Sequence, residues 1–326
     1  MKRIYQISGV ILLSLLIFLT RSCKKDEVPA LTTSAVTNIT GTSATSGGII
    51  TSEGSGSVIA RGVCWSTGNA PTIADSKTTD GTGGGSFQSS MSGLNGASVY
   101  NVRAYATNSV GTGYGTAISF TTTFTGIKGT VSDNDGNTYQ TIGIGYQIWM
   151  AENLKTTKYN DAASIPLVTD GTAWTNLVTP GYCWYNNDAA GYKAIYGALY
   201  NWYTVNTGKL CPSGWHIPTD NEWTTLTTFL GGESVAGGKL KEAGTTHWTT
   251  PNTAATNETG FTALPAGYRL YNGQYLDIGN TGVWWSPTEF STTYSWDWNL
   301  YYSSASVGSG NYDKQSGFSV RCLKDK

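Results

Sequence analysis

The chain has 326 residues with 13% charged side chains, 41 glycines and a net charge of −1, which fits a folded, turn-rich protein of roughly two domains. Lys and Arg number 20 against 21 Asp and Glu, with no long run of either sign, so a phosphate-reading basic face is excluded and nucleic acid with it. Two histidines, His216 and His247, leave little room for a metal or acid–base centre.

In chain order, Lys2 and Arg3 precede an apolar run from about Val10 to Leu19. This run is shorter than the ~20 residues that span a bilayer and has the form of a secretory signal. Residues 1–22 are therefore expected to be removed. Leu19-Thr20-Arg21-Ser22-Cys23 resembles the lipobox of bacterial lipoproteins, with Cys23 as the acylated residue and Arg21 as a departure. Within the linker, residues 23–29, Lys25-Asp26-Glu27 resembles the export signal of Bacteroidetes-type lipoproteins. The resemblance implies a lipid-anchored protein of the outer membrane that faces the cell exterior and meets the membrane through its acyl chains.

Residues 30–123 are rich in Thr, Ser, Gly and Val, with alternating runs at Ser57–Trp65 and Ser98–Ala106 around the Gly83-Gly84-Gly85 loop. That pattern predicts an all-β unit. Leu94, then Tyr100, Val102, Ala104 and Ala106 resemble the tyrosine corner and following strand of a fibronectin type III sandwich. Because fold alone does not carry function, a spacer is the expected role; Cys64 is expected to lie buried beside Trp65 in an inner-face strand as a small apolar side chain.

Residues 124–326 hold eleven of the twelve tryptophans and sixteen of the twenty tyrosines. Lys128–Ile142 reads as a hairpin whose Asp133, Asp135 and Asn137 serve the turn. The glycine is misplaced for an EF-hand, and no glutamate stands at the twelfth position. Two helices are predicted, a short one over Gly197–Val205 and a clearer one after Pro218. The second has Thr219 and Glu222 at capping-box spacing, a Trp223, Leu226, Leu230 core stripe and glycines to end it.

The series Gln147–Leu154, Tyr182–Asn186, Cys211–Thr219, Gly260–Arg269, Trp284-Trp285-Ser286 and Gly317–Leu323 resembles the Fibrobacter succinogenes major paralogous domain. This implies an α+β, C-type-lectin-like fold akin to the formylglycine-generating, sulfatase-modifying proteins. The reactive cysteine pair of those oxidases is missing, as are the Glu-Pro-Asn and Trp-Asn-Asp signatures of lectins, and Trp298-Asn299-Leu300 is a partial echo. Cys211 and Cys322 are the pair expected to close in an oxidising compartment, with the pairings that involve Cys183 left open.

No nucleophile elbow, zinc motif or phosphate loop is present, so neither catalysis nor a metal or other cofactor is expected. Glu242, Glu258, Asp277, Glu289 and Asp297 remain as carboxylates that the fold alone can pair. His216 reads as a structural residue. The candidate ligand-binding residues are Tyr271, Tyr275, Trp296, Asp297, Trp298, Asn299 and Tyr301, where rings alternate with short polar groups. The functional expectation is a non-enzymatic adhesion module for a glycan or a surface or matrix protein. A structural envelope component is the competing reading, and a carbohydrate-active enzyme the third.

Overall fold

The computed structural model describes residues 26–325, so Cys23 and Lys25 lie outside it. The chain is β-rich with few helices. Its sheets and apolar clusters fall into two sets, one built from residues up to Thr121 and the other from residues beyond Lys128.

In the first unit, strands Ala30–Thr33, Ser43–Ser52 and Gly85–Ser92 form one antiparallel sheet. Ser76–Lys77, Ala60–Ser66, Val99–Thr107 and Thr112–Tyr114 form the other, with Ile118–Thr121 also paired to Val99–Thr107. Period-two alternation turns Val63, Trp65, Tyr100 and Val102 inward against Ala44, Met91 and Phe120. Cys64 is fully buried, but alternation places it on the opposite face of its strand from Trp65, across from Arg103, which corrects the expectation that the two sit side by side. Glu27 is also less free than a linker residue. Its N–H donates to Ser55 Oγ at 2.9 Å, and its carbonyl accepts from Asn108 Nδ2 at 2.9 Å. At the far end, Thr123 N–H donates to the carbonyl of Thr40. Ser55 and Thr40 flank opposite ends of the ten-residue strand Ser43–Ser52, so the chain enters and leaves this unit about 30 Å apart.

The second unit contains a five-stranded sheet in the order Trp215–His216, Leu323–Lys324, Gln147–Met150, Thr138–Ile144, Lys128–Ser132. A second sheet runs Tyr182–Cys183, Leu199–Asn201, Gly317–Phe318, Ala266–Arg269, Tyr275–Ile278, and a third joins Thr281–Glu289, Tyr294–Tyr301 and Val307–Asp313. The expected helix over Gly197–Val205 is confined to Trp202–Val205, because Leu199–Asn201 is a strand and Asn201 caps the short helix after it, its side chain accepting from Thr204 N–H. The preceding helix, Ala189–Tyr196, ends at Gly197 with φ of 76°.

The helix Asp220–Phe229 forms as its capping residues predict. The Glu222 carboxylate accepts from the N–H and hydroxyl of Thr219, both at 2.9 Å. Trp223, Leu226 and Leu230 are buried together with Trp149, Phe261, Trp284 and Trp298. Cys211 and Cys322 are disulfide-bonded across a separation of 111 residues, and Cys183 is a buried free thiol. The bond ties the entry to Trp215–His216 to the last strand, with which that segment also pairs. Replacing both cysteines by serine is expected to lower the stability of the second unit by ~2–5 kcal/mol, measured as an earlier urea transition with the transition of the first unit unmoved.

Candidate functional site

The third sheet sorts the candidate residues by alternation. Trp298 pairs with Trp284, stacks on Trp223 with ring centroids 5.8 Å apart, and donates its indole N–H to Asp220 Oδ1 at 2.9 Å. It is a core residue, 2% exposed, and no ligand reaches it. Trp296 lies at the rim of the same face, edge-on to Phe290 at 5.1 Å. Asp297, Asn299 and Tyr301 point the other way, on the face that carries Trp285, Val283 and Tyr312. The tryptophans and the polar residues of this strand thus serve opposite faces.

On the second face the facing strand supplies glycines. A Cβ at Gly308 would lie 2.3 Å from Asn299 Oδ1, and one at Gly310 would lie 3.0 Å from Asp297 Oδ1, so these two positions admit the polar side chains. Asp297 is wholly buried. Its Oδ2 accepts from Asn299 Nδ2 at 2.9 Å, whereas Oδ1 has no hydrogen-bond partner among the described residues. Burial pushes this carboxyl up to about 6, with the Asn299 hydrogen bond opposing.

Beside it, the Tyr268 hydroxyl donates to Asp277 Oδ2 at 2.9 Å. Asp277 adopts a left-handed φ of 60°, as does Gly267 between the Ala266–Ile278 and Tyr268–Leu276 pairs, an irregularity that costs energy for a side chain other than glycine. The Tyr268 and Tyr312 rings lie 6.2 Å apart, both edge-on to Phe318. Burial raises the phenols of Tyr268, Tyr301 and Tyr312, and the carboxylates of Asp277 or Asp297 raise them further. The three rings and two acids therefore share one electrostatic environment. Tyr301 and Asp277 are exposed, while Tyr268 and Tyr312 are half-buried.

Other candidates fall elsewhere. Tyr271 is exposed at the tip of the turn between Ala266–Arg269 and Tyr275–Ile278. Tyr275 is held by Asn187 Oδ1 at 2.7 Å and by the Arg269 guanidinium 4.8 Å from its ring centre. Tyr268 and Tyr312 were not among the residues singled out from the sequence. Only the pairing of distant strands brings them to Asp297.

The Asp133–Asn137 loop is a turn. Asp133 accepts from the Asp135 and Asn137 N–H groups, the Asn137 amide and the Tyr139 hydroxyl, and Asp135 accepts from Thr156 and Thr157 and pairs with Lys158. No group of three or more His, Cys, Asp or Glu suited to a metal occurs among the described residues. His216 is clamped between Asp325 Oδ1 at 2.6 Å and the Glu222 carboxylate at 3.0 Å. The Glu222 hydrogen bond raises its ring to about 8, burial opposing and Asp325 adding. Burial alone would raise Glu222, but His216 and Thr219 hold it down at about 2.

The family model of the Fibrobacter succinogenes major domain matches residues 142–324, more than half of the chain. The chain belongs to this family. The Fibrobacter succinogenes major domain thus includes all four strands that carry the candidate face and both disulfide cysteines. No curated protein matches the chain. Among solved structures, the sensor domain of the anti-sigma factor RsgI4 of Pseudobacteroides cellulosolvens is similar at 14% identity and a TM-score of 0.23, covering 29% of this chain and 95% of that one. Its solution structure is similar at 17% identity and a TM-score of 0.22, covering 29% of this chain and 75% of that one.

The ionisable groups give two expected outcomes. Native Asp297 holds its proton to a higher pH than the unfolded chain, near 4, so stability falls as pH rises from about 4 to 6 and the full cost, about 3 kcal/mol, stands at pH 7. Asp297→Asn is expected to stabilise the protein in urea at neutral pH and to give little at pH ~4; an equal gain at both pH values would contradict this origin. For His216, whose folded value is raised, the clamp contributes fully below about 6.5 and is lost as pH rises through about 8. Its imidazole NMR titration is expected near 8 and to move down in Glu222→Gln.

Proposed function

We propose that the chain is a cell-surface lipoprotein, anchored through Cys23. In this reading a fibronectin type III-like stalk, residues 30–123, displays a C-type-lectin-like module, residues 124–326, that binds a glycan or a surface protein without catalysis. The observation that carries the binding reading is the face formed by Tyr268, Asp277, Tyr301 and Tyr312 over buried Asp297, where rings offer area and short polar groups offer orientation. The stalk reading is supported by the two sheets of the first unit and by the Tyr100 hydroxyl, which accepts from Asn95 N–H at 3.1 Å as a tyrosine corner does. Entry and exit at opposite ends of the unit suit a spacer.

A hydrolytic reading would make Asp277 and Asp297 the acid pair. A general acid must come within hydrogen-bond reach of the glycosidic oxygen, and Asp297 has no exposed surface, which favours binding over turnover. A glycan and surface-protein array probed with the full chain, with calcium and with chelator, is expected to give a hit that Tyr301→Ala abolishes and Trp296→Ala leaves in place. Loss with Trp296→Ala alone would move the site to the Trp296–Phe290 rim. A blank array from folded protein would favour an envelope component without a small ligand.

A further inference from the structure

The candidate face is acidic, and its two acids, Asp277 and Asp297, are not ion-paired among the described residues. Among the described residues, the Asp277 carboxylate accepts only the Tyr268 hydroxyl, and the buried Oδ1 of Asp297 accepts nothing. Aromatic ring faces add negative potential to that of the carboxylates, and a buried acid without a counter-charge is costly to keep. A fold that retains such an acid beneath three phenols has, on this face, the charge complement of a positively charged ligand group.

We propose that this face takes a protonated amino group carried on a sugar, with the ammonium among the phenol rings and against Asp277 while Asp297 lies beneath as buried charge. The proposal rests on the binding reading above and names its ligand class. A divalent ion fits less well, since calcium asks for six to eight oxygens and no acidic trio converges here. The surroundings favour an amino sugar over a lysine side chain, because the Tyr301 and Tyr312 hydroxyls beside the Asp277 carboxylate suit a ring bearing hydroxyls, where an alkyl chain would need apolar walls.

The test is calorimetry of the full chain with glucosamine trisaccharide, its N-acetylated counterpart and trilysine, in low-salt buffer near pH 7, where Asp297 is ionised. The free amine is expected to bind at least ~10-fold tighter than the acetylated sugar. Asp277→Asn and Tyr301→Ala should remove that preference. Asp297→Asn, which is expected to fold with undiminished stability, should weaken amine binding all the same, a result that a purely structural Asp297 would not produce. Equal binding of both trisaccharides would overturn the ammonium assignment and leave the binding reading standing. Tighter binding of trilysine would overturn the sugar in favour of a basic protein partner, and no binding of any probe would overturn the assignment outright.

Discussion

The guanidinium of Arg321 is enclosed in the second unit with no carboxylate as its hydrogen-bond partner, and the surrounding chain is arranged to satisfy it. Nε donates to Asn153 Oδ1 at 3.0 Å, Nη2 to the Thr262 carbonyl at 2.7 Å, and Nη1 to the Phe261 carbonyl. The Phe261 ring lies 4.1 Å from the guanidinium carbon and the Trp284 ring 5.8 Å. Asn153 Oδ1 also accepts the Trp284 indole N–H, while its amide donates to the Tyr196 carbonyl and Ser319 Oγ. Burial pushes Arg321 down from its usual value, and leaving such a charge without these acceptors would cost several kcal/mol. One cation thus holds segments near 153, 196, 261, 284 and 319 in a single arrangement.

That arrangement positions the candidate face. Trp284 is the inward neighbour of Trp285, which pairs with Asp297, so fixing one side of the strand Thr281–Glu289 fixes what its other side presents. The Trp285 ring packs on Phe318 at 4.3 Å, and Phe318 in turn supports Tyr268 and Tyr312. The path from the buried guanidinium to the half-buried phenols thus runs through the Trp284 ring, the strand backbone and the Trp285–Phe318 packing. A rigid floor of this kind lets a strained Asp277 and an uncompensated Asp297 persist, because the frame supplies the stability they remove.

Features set by local chemistry were legible in the sequence. The capped helix after Thr219, the Asp133–Asn137 turn and the alternation that separates Trp296 from Asp297 each depend on residues within a few positions of one another. The family motifs were legible as a series, and the structure explains why: many of them contribute to the Arg321 network or to the Cys211–Cys322 bond. The long-range features were not legible. Tyr268 and Tyr312 meet through a third ring, Phe318, from another strand, and no local spacing encodes that. Trp298, exposed in appearance because polar residues flank it, is buried because the distant Trp223 and Asp220 cover it. The strand at Leu199–Asn201 likewise overrides a helical pattern by pairing with Gly317–Phe318.

The most direct measurement is native-state hydrogen exchange on Arg321→Met, a substitution of similar length without the donors. If the guanidinium organises the unit, amides near Asn153, Phe261 and Trp284 and those of the strand Tyr294–Tyr301 lose protection together, while the first unit keeps its own. Loss of protection confined to the segment around Arg321, with Tyr294–Tyr301 unchanged, would contradict the account and leave the candidate face supported by something else.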